Sequence, residues 1–402
     1  MLTGQTILWL MWRSWPDREI ASDWELIRRF ASTNEVIYVD LQQKYEMLCR
    51  ADGFSWCSYV RAFLVHPPER ISDNLVRIKA PPMLPLAVSL LSRVAHDAVA
   101  RLSISLSKKI LENHIKLCLA ELGLSPSILW MHSPYDFPLV GRFGERLVCY
   151  RTSDEIRLYP ENTSFRTLLD DIERENIARV QLVFASSRSQ YEKRKAMHPH
   201  TYLLPNGVDF DLFSQARAYR HARPPDMREI RPPAIGFMGA IDHRFDFELV
   251  QAIARARPGW SIVLLGLVRR NCSDKMDWLL QLPNVHWLGR KSRDELPGYL
   301  GLFDAAMIPY RVTTLTNTMY PWKLHEYLAA GLPVISTPLH EVRFLSPPVR
   351  LAQSAEEAVN VIEQELAQDC AEERAEQVDI ARANSWDVRV EAMQALIEEA
   401  VG

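Results

Sequence analysis

Short apolar runs alternate with helical patterns along the whole chain, and this alternation limits the possible folds more than any other feature. Near the start, an apolar run at Thr6–Trp12 precedes a helical pattern that Ser22–Asp23 can cap, and a second apolar run follows at Val36–Leu41. A strand, a helix and a strand in this order form a βαβ unit, which requires a parallel sheet. The sequence therefore predicts an α/β protein.

The first half of the chain continues this alternation. We expect irregular chain at Pro67–Pro85, where proline is frequent, and then a long, mostly helical stretch to about Leu122. Short apolar runs predict further buried strands at Ile128–His132, Leu147–Tyr150 and Leu182–Ala185. Elements in this order are typical of a doubly wound sheet.

A change in composition indicates a boundary between two domains. Leu203–Asp209 contains a proline and an Asn-Gly turn, and Arg217–Pro233 is rich in arginine and proline. We therefore predict an N-terminal domain at residues 1–205, a C-terminal domain at residues 206–385 and a last helix at residues 386–402. In the second domain we expect strands at Ala234–Met238, Ser261–Leu265, Asn284–Leu288, Ala305–Pro309 and Pro333–Thr337, and helices at Phe245–Arg257, Glu295–Phe303 and Tyr320–Ala330. Both domains are expected to be Rossmann-like.

The composition is that of an ordinary globular protein. Of the 402 residues, 48% are hydrophobic and 24% are charged, and the formal net charge is −3. These values exclude disordered and collagen-like chains, and they make nucleic acid a poor candidate partner. Ile7–Trp12, the longest apolar stretch near the start, is far shorter than the roughly 20 residues of a membrane span. We expect neither a membrane span nor a signal peptide, and hence a cytoplasmic protein.

The cysteines are too widely spaced for a zinc or redox motif, and we expect buried thiols in a reducing compartment. The six cysteines are Cys49, Cys57, Cys118, Cys149, Cys272 and Cys370.

The run Asn317–Thr337 reads as a helix start followed by a strand. Asn317 or Thr318 can cap the helix, Pro321 suits its first turn and Gly331 can end it. A helix N-terminus with a lysine in its first turn favours an anion. Lys323 and Glu326 are three residues apart and share one face, so they can present a cation to a phosphate and a carboxylate to a ribose diol. The alternative is a solvated ion pair between the two side chains.

Together with three other motifs, this run resembles the C-terminal half of GT-B nucleotide-sugar glycosyltransferases over roughly Leu203–Met393. The other motifs are Pro205–Asp209, Val285–Arg290 and Ser385–Asp387. The resemblance implies two Rossmann-like domains with parallel sheets facing across a cleft. It also implies an N-terminal domain for the acceptor, a C-terminal domain for the nucleotide-sugar, and a last helix that packs back toward the N-terminal domain.

The chain departs from the large retaining group of this fold. That group has two glutamates eight positions apart, and here Glu326 matches the second while Thr318 stands at the first position. The group also has an arginine and a lysine after the first strand of the C-terminal domain, where this chain reads Gly236–Arg244. The retaining-type site is therefore incomplete.

A closer resemblance is to the xanthan-type glucuronosyltransferases, which are inverting enzymes of exopolysaccharide assembly. It is carried by Tyr150–Asp154, by Ile308–Tyr310 and by the helix start at Trp322–Glu326. The resemblance implies that Asp154 is the general base and that Tyr310, Trp322, Lys323 and Glu326 lie at the nucleotide. That family has an amide at the position of Glu326. UDP-sugars, UDP-glucuronate among them, are the donors that this resemblance implies.

Further residues complete the predicted donor and acceptor sites. Gly239 can let the backbone approach a phosphate, with His243 or Arg244 as a nearby cation, and Gly289 and Arg290 can offer backbone groups to the base. Each of these positions also suits an ordinary turn. Asn317 and Thr318 belong to the same predicted donor site, and His132 and Glu192 are candidates for the acceptor side or for an auxiliary base.

Inverting transfer needs a base for the acceptor hydroxyl and positive charge for the leaving diphosphate. Asp154 follows a buried strand, at the edge where open α/β sheets bind ligands. The alternative is a structural role for Asp154, as a helix cap or in a loop ion pair with Arg151 or Arg157. We expect no metal or other cofactor, because Lys323 can supply the charge and no Asp-x-Asp pair is suitably placed to hold a divalent cation.

The stretch from Leu84 to Ala120 suggests contact with an anionic membrane surface. Its basic residues are Arg93, Arg101, Lys108, Lys109 and Lys116, against the acidic Asp97 and Glu112. A basic amphipathic helix can lie on such a surface, which would suit a lipid-linked or polysaccharide acceptor on the cytoplasmic face of the inner membrane. An ordinary solvated helix face has the same pattern.

Two other functions are compatible with this fold. One is a nucleotide-sugar 2-epimerase, which needs a carboxylate-rich cleft, whereas Asp154 is the one clear candidate that the sequence offers. The other is a non-catalytic GT-B partner protein, which the altered retaining-type motif allows.

The first half of the chain contains six tryptophans, whose indole rings can stack on sugars or belong to the core. They are Trp9, Trp12, Trp15, Trp24, Trp56 and Trp130.

Overall fold

The computed structural model describes residues 2–11, 22–40, 67–81, 96–159, 166–221, 223–368 and 371–401. The chain divides into two compact units. The first comprises Met1–Leu204 and Val390–Gly402, and the second comprises Pro205–Arg389. Each unit contains a largely parallel sheet with helices, so the predicted α/β class is confirmed.

The first unit contains an eight-stranded sheet within the described residues. Its strands are β1 (Thr6–Met11), β2 (Glu35–Asp40), β3 (Glu69–Ser72), β4 (Leu75–Lys79), β5 (Ile128–Met131), β6 (Leu147–Thr152), β7 (Leu182–Ala185) and β8 (Thr201–Leu203). Their order in the sheet is β3-β4-β2-β1-β5-β6-β7-β8, and only β3 runs antiparallel to its neighbour. The chain order reverses direction between β1 and β5, where open α/β sheets bind ligands at their carboxyl edge.

The prediction of irregular chain at Pro67–Pro85 is wrong for the described part of that range. β3 and β4 form a hairpin there, and β4 pairs in parallel with β2. The charged Arg77 makes β4 look exposed in the sequence. In the structure Arg77 is buried, because it binds Asp40 with 2.6 Å between Nη2 and Oδ2. Residues from 82 onward in that range lie outside the described residues.

Within the described ranges, four α-helices belong to the first unit besides the end of the chain. They are α1 (Ser22–Phe30), α2 (His96–Leu122), α3 (Arg166–Asn176) and α4 (Arg188–Lys195). Neither α3 nor the edge strand β8 was predicted from the sequence. Ser187 caps α4 by accepting a hydrogen bond from the backbone of Gln190.

The basic residues of α2 are engaged in ion pairs. Lys108 is buried and binds Asp136 at 2.5 Å, so it does not lie on a surface as the sequence suggested. Lys109 and Lys116 both bind Glu112, at 3.1 and 2.7 Å. Arg101 binds a glutamate of α3, and Arg93 lies outside the described residues. No helix in the described ranges is long and apolar enough to cross a bilayer.

The second unit contains a six-stranded parallel sheet within the described residues. Its strands are β9 (Ala234–Met238), β10 (Ser261–Leu265), β11 (Val285–Trp287), β12 (Ala305–Ile308), β13 (Val334–Ser336) and β14 (Arg350–Leu351). The order is β11-β10-β9-β12-β13-β14, so the chain order reverses between β9 and β12. Its helices are α5 (Phe210–Phe213), α6 (Phe247–Ala256), α7 (Ser273–Leu279), α8 (Leu296–Leu300), α9 (Lys323–Ala329), α10 (Ala355–Ala367), α11 (Ala371–Ala383) and the start of α12 (Trp386–Val401).

Aromatic side chains and free thiols lie among the aliphatic residues of the cores. Trp9 and Trp130 stack with 4.2 Å between ring centroids and are fully buried, which favours the core interpretation for both. Cys118, Cys149 and Cys272 are free and buried, as predicted. The other cysteines, and Trp12, Trp15 and Trp56, lie outside the described residues.

Candidate functional site

Glycines bring the loops that follow β9 and β10 into contact at the carboxyl edge of the second unit's sheet. Gly239 and Gly266 both have φ +141°, a backbone angle that residues with side chains rarely adopt. A Cβ atom on Gly266 would overlap the carbonyl of Gly239. The Gly266 N–H donates to the carbonyl of Gly289 at 2.8 Å, and Gly289 follows β11. Three loop ends are therefore joined through their backbones, with no side chains between them.

Lys323 lies at this same edge, against Gly239. Its Nζ donates a hydrogen bond to the hydroxyl of Tyr310 and lies 4.4 Å from the centre of that ring. The Phe237 ring is 4.8 Å from Nζ. The structure thus brings together Gly239, Tyr310 and Lys323, which the sequence predicted for the nucleotide. A single ammonium over two aromatic faces, beside a glycine, suits a diphosphate.

Glu326 follows Lys323 by one helical turn and is only 6% exposed. Its Oε1 lies 3.4 Å from Nη1 of Arg293, whose guanidinium group lies over the rings of Trp322 and Phe213 at 5.1 and 5.3 Å. The alternative prediction, a solvated ion pair between Lys323 and Glu326, is therefore wrong, because the carboxylate of Glu326 is buried. Arg293 was not predicted from the sequence, because its stacking partners are too distant in the chain for residue spacing to reveal it.

The predicted cap of the lysine helix is wrong. Asn317 and Thr318 belong to a separate 3-10 turn, in which the Thr318 hydroxyl donates to the Leu315 carbonyl at 2.7 Å. Asn317 Oδ1 accepts from the backbone N–H of His340. The helix begins only at Lys323, because Met319 after the 3-10 turn is extended, and it has seven residues. The Lys323 side chain, rather than the amides of so short a helix, is the group that can hold a phosphate.

Arg244 lies beside Tyr310 but is engaged by Asp242. Its guanidinium group binds both carboxylate oxygens and lies 5.6 Å from the Tyr310 ring. Burial raises the pKa of Asp242, but Arg244 outweighs this effect and lowers it. Arg244 therefore offers less free charge than the sequence suggested.

The end of β11 presents an exposed tryptophan next to the predicted base-binding residues. Gly289 has φ +72° and Arg290 is exposed. Trp287 is 42% exposed, and its Nε1 donates to the Gly266 carbonyl at 2.9 Å. Trp287 was not predicted as a site residue, although its place shortly before the Gly-Arg pair was a usable signal.

In the first unit, Asp154 follows β6, which is two residues longer than predicted and includes Arg151 and Thr152. Asp154 is half-buried, and its Oδ2 accepts a hydrogen bond from the Tyr159 hydroxyl at 3.0 Å. Of the predicted structural alternatives, the ion pair of Asp154 with Arg151 or Arg157 is wrong. Arg151 binds the buried carboxylate of Asp23, and Arg157 binds Glu155.

Within the described residues, no hydrogen bond or ion pair joins His132 or Glu192 to Asp154. Trp9 Nε1 donates to Nε2 of His132 at 2.8 Å, so that lone pair is used, and the other ring nitrogen lies 3.5 Å from Asp23. Burial lowers the pKa of His132, against the opposing effect of Asp23. Glu192 lies on the exposed face of α4. Neither residue is arranged as an auxiliary base.

The described residues contain no cluster of three or more metal-ligating side chains. One Asp-x-Asp sequence, Asp209–Asp211, lies at the start of the second unit, and its first carboxylate caps α5.

The fold is that of the GT-B glycosyltransferases. Sucrose-phosphate synthase from Thermosynechococcus elongatus superimposes with a TM-score of 0.68 at 16% identity, covering 98% of each chain. Anabaena HepE in complex with UDP and glucose superimposes with a TM-score of 0.65 at 14% identity, covering 98% of this chain and 100% of HepE. The predicted GT-B class is confirmed.

Residues 232–364, which lie in the second unit, match the family described as glycosyl transferases group 1. A putative teichuronic acid biosynthesis glycosyltransferase, TuaH of Bacillus subtilis, is 32% identical over 158 residues. That match covers 39% of this chain and 39% of TuaH, about two fifths of the relative's length.

Proposed function

We propose that this protein is a glycosyltransferase that transfers a sugar from a UDP-sugar to a hydroxyl of a lipid-linked or polysaccharide acceptor. The observation that carries the proposal is the Lys323 ammonium group, held by Tyr310 against Gly239 at the carboxyl edge of a parallel sheet. The domain match supports it, as does the UDP in the HepE complex. The TuaH match supports a role in cell-envelope or exopolysaccharide glycan synthesis.

Two residues would perform the chemistry. Lys323 neutralises the charge that develops on the departing UDP, without a metal ion. Asp154 accepts the proton of the acceptor hydroxyl as the hydroxyl oxygen attacks the anomeric carbon, which inverts that carbon. The place of Asp154 after β6 and the resemblance to inverting enzymes support this role. UDP-glucuronate is the donor to test first. A peripheral location of the protein on the cytoplasmic face of the inner membrane would suit a lipid-linked acceptor.

Thermal denaturation with nucleotides tests the donor site, because a ligand of the folded state raises the melting temperature. We expect UDP to stabilise the protein more than ADP, GDP or NAD, equally with Mg²⁺ and with EDTA. Lys323→Ala should abolish most of the UDP effect. Lys275→Ala, which removes an exposed lysine of α7, is the matched control and should keep it. No response to any of the nucleotides would favour a non-catalytic partner.

Turnover separates the transferase from the epimerase. The wild type is incubated with UDP-glucuronate, UDP-glucose and UDP-N-acetylglucosamine, with and without a polyprenyl-diphosphate-linked sugar. Release of UDP only when the acceptor is present supports the proposal. Conversion of a donor to its 2-epimer without an acceptor would contradict it.

A further inference from the structure

Two adjacent carboxylates, Asp154 and Glu155, lie in different surroundings after β6. Asp154 is half-buried, and among the described residues Tyr159 is the hydrogen-bond partner of its side chain, at 3.0 Å. Glu155 is only 2% exposed and is surrounded by cations. One of the two acids is therefore committed to ion pairs, whereas the other is held by a neutral hydroxyl group.

The backbone before Asp154 is fixed by the start of α4. The Ser186 hydroxyl and the Gln190 side-chain amide both donate to the Ser153 carbonyl, at 2.8 and 3.2 Å. The Ser186 N–H donates to the Thr152 carbonyl at 3.0 Å. Ser186 and Gln190 are fully buried, so this side of the segment cannot shift without disturbing the core.

The backbone after Asp154 is fixed through Glu155. Its carboxylate lies 2.9 Å from Arg157 Nε and 3.3 Å from Lys193 Nζ, and it also pairs with the buried Arg194. The Leu158 N–H donates to the Glu155 carbonyl at 2.8 Å, which closes the short 3-10 helix before Tyr159.

Arg194 connects this segment to the sheet. Its guanidinium group also binds Glu173 of α3, at 2.9 Å, and Glu173 accepts a hydrogen bond from the hydroxyl of Tyr150 in β6. A buried charge is tolerated only when it is paired and hydrogen-bonded, as these charges are. The network therefore holds residues 153–159 in one arrangement, with Tyr159 beside Asp154.

We propose that Tyr159 is the positioning residue of Asp154 and that it decides which carboxylate oxygen takes the proton. This inference rests on the proposed function. Tyr159 donates to Oδ2, which leaves Oδ1 to accept. The O–H bond of the acceptor breaks and its proton passes to Oδ1, while the acceptor oxygen bonds to the anomeric carbon. The bond from that carbon to the diphosphate breaks, and its electron pair leaves with UDP.

The test is Tyr159→Phe, which removes one hydroxyl and keeps the ring. We expect kcat to fall about tenfold, the order expected for a lost hydrogen bond to a charged group, with the donor KM within about twofold. Tyr191→Phe, in the partly exposed part of α4, is the matched control and should keep kcat. Melting temperatures of both variants check that the fold is intact.

A double-mutant cycle distinguishes positioning from a general structural role. If Tyr159 acts through Asp154, adding Tyr159→Phe to Asp154→Asn should change kcat by less than about twofold. A tenfold loss in that background, or a full kcat in the single variant, would overturn the inference and leave the proposed function standing. A wild type that binds UDP but never releases it from a donor would contradict both.

Discussion

A Cβ atom on Gly239 would lie 2.8 Å from Nζ of Lys323, closer than real Cβ contacts. The cation therefore occupies the space that a side chain at position 239 would need. Gly239→Ala should displace the ammonium group, strain a backbone at φ +141° and weaken UDP binding about tenfold. Calorimetric titration with UDP measures this. Gly259→Ala, where the added methyl group meets open space, is the control and should bind UDP as the wild type does.

Asp154→Asn tests the base without removing the shape of the side chain. We expect kcat to fall by about 10² to 10⁴, because an amide cannot accept the proton. The dissociation constant of UDP should stay the same, because the proposed role of Asp154 is to accept the proton of the acceptor and not to hold the nucleotide. Asp171→Asn, on the exposed side of α3, is the control. A variant that kept full turnover would show that the base is another group.

Variants of Glu326 test whether the ribose hydroxyls contribute to UDP binding. Glu326→Gln keeps a polar group that can bind a diol, so UDP affinity should change less than about threefold. Glu326→Leu should lower UDP affinity about tenfold and hardly change that of 2′,3′-dideoxy-UDP. Competition binding with the two nucleotides gives the ratio. Equal losses for both nucleotides would assign Glu326 to the packing of Arg293 instead.

The acid stability of the first unit should depend on Glu155. Burial raises its pKa, but Arg194 and its other cations outweigh this, so that the pKa is about 2 instead of 4.5. The ionised form therefore stabilises the folded unit above about pH 4.5, and this contribution disappears as the pH falls toward 2. Glu155→Gln should cost about 3 kcal/mol at pH 7 and much less near pH 2.

Urea titrations monitored by hydrogen exchange of the amides in β6 and α4 can measure this difference in the free energy of unfolding between the two pH values. Glu175→Gln, in an exposed ion pair of α3, is the matched control and should cost less than about 1 kcal/mol at either pH. An equal cost of Glu155→Gln at both pH values would contradict the assigned role of the charge.

The sequence predicts strands well where a buried strand consists almost entirely of apolar residues. β9 is apolar throughout, β10 is apolar after Ser261, and a glycine follows each strand, so their observed bounds are the predicted ones. β4 was missed because it contains Arg77, whose charge is neutralised by a residue far away in the chain. β8 was missed because three residues are too few to show an alternation.

The same distinction applies to the site. The spacing of Lys323 and Glu326 within one helix placed both at the candidate nucleotide site. Contacts between distant elements were not predictable, because a sequence pattern does not state which side chains meet across the fold. Arg293 beside Glu326 is one such contact. The bond from Trp9 to His132, which removes the histidine as a base, is another.

The hairpin of β3 and β4 affects how this chain behaves at high concentration. β3 forms one edge of the first sheet, and all four of its residues are exposed, Glu69 and Arg70 among them. The other edge is β8, with three residues. Charged or very short edge strands resist the addition of a foreign strand. In the part of the chain that the structure describes, both edges of the larger sheet are thus protected against strand-to-strand aggregation.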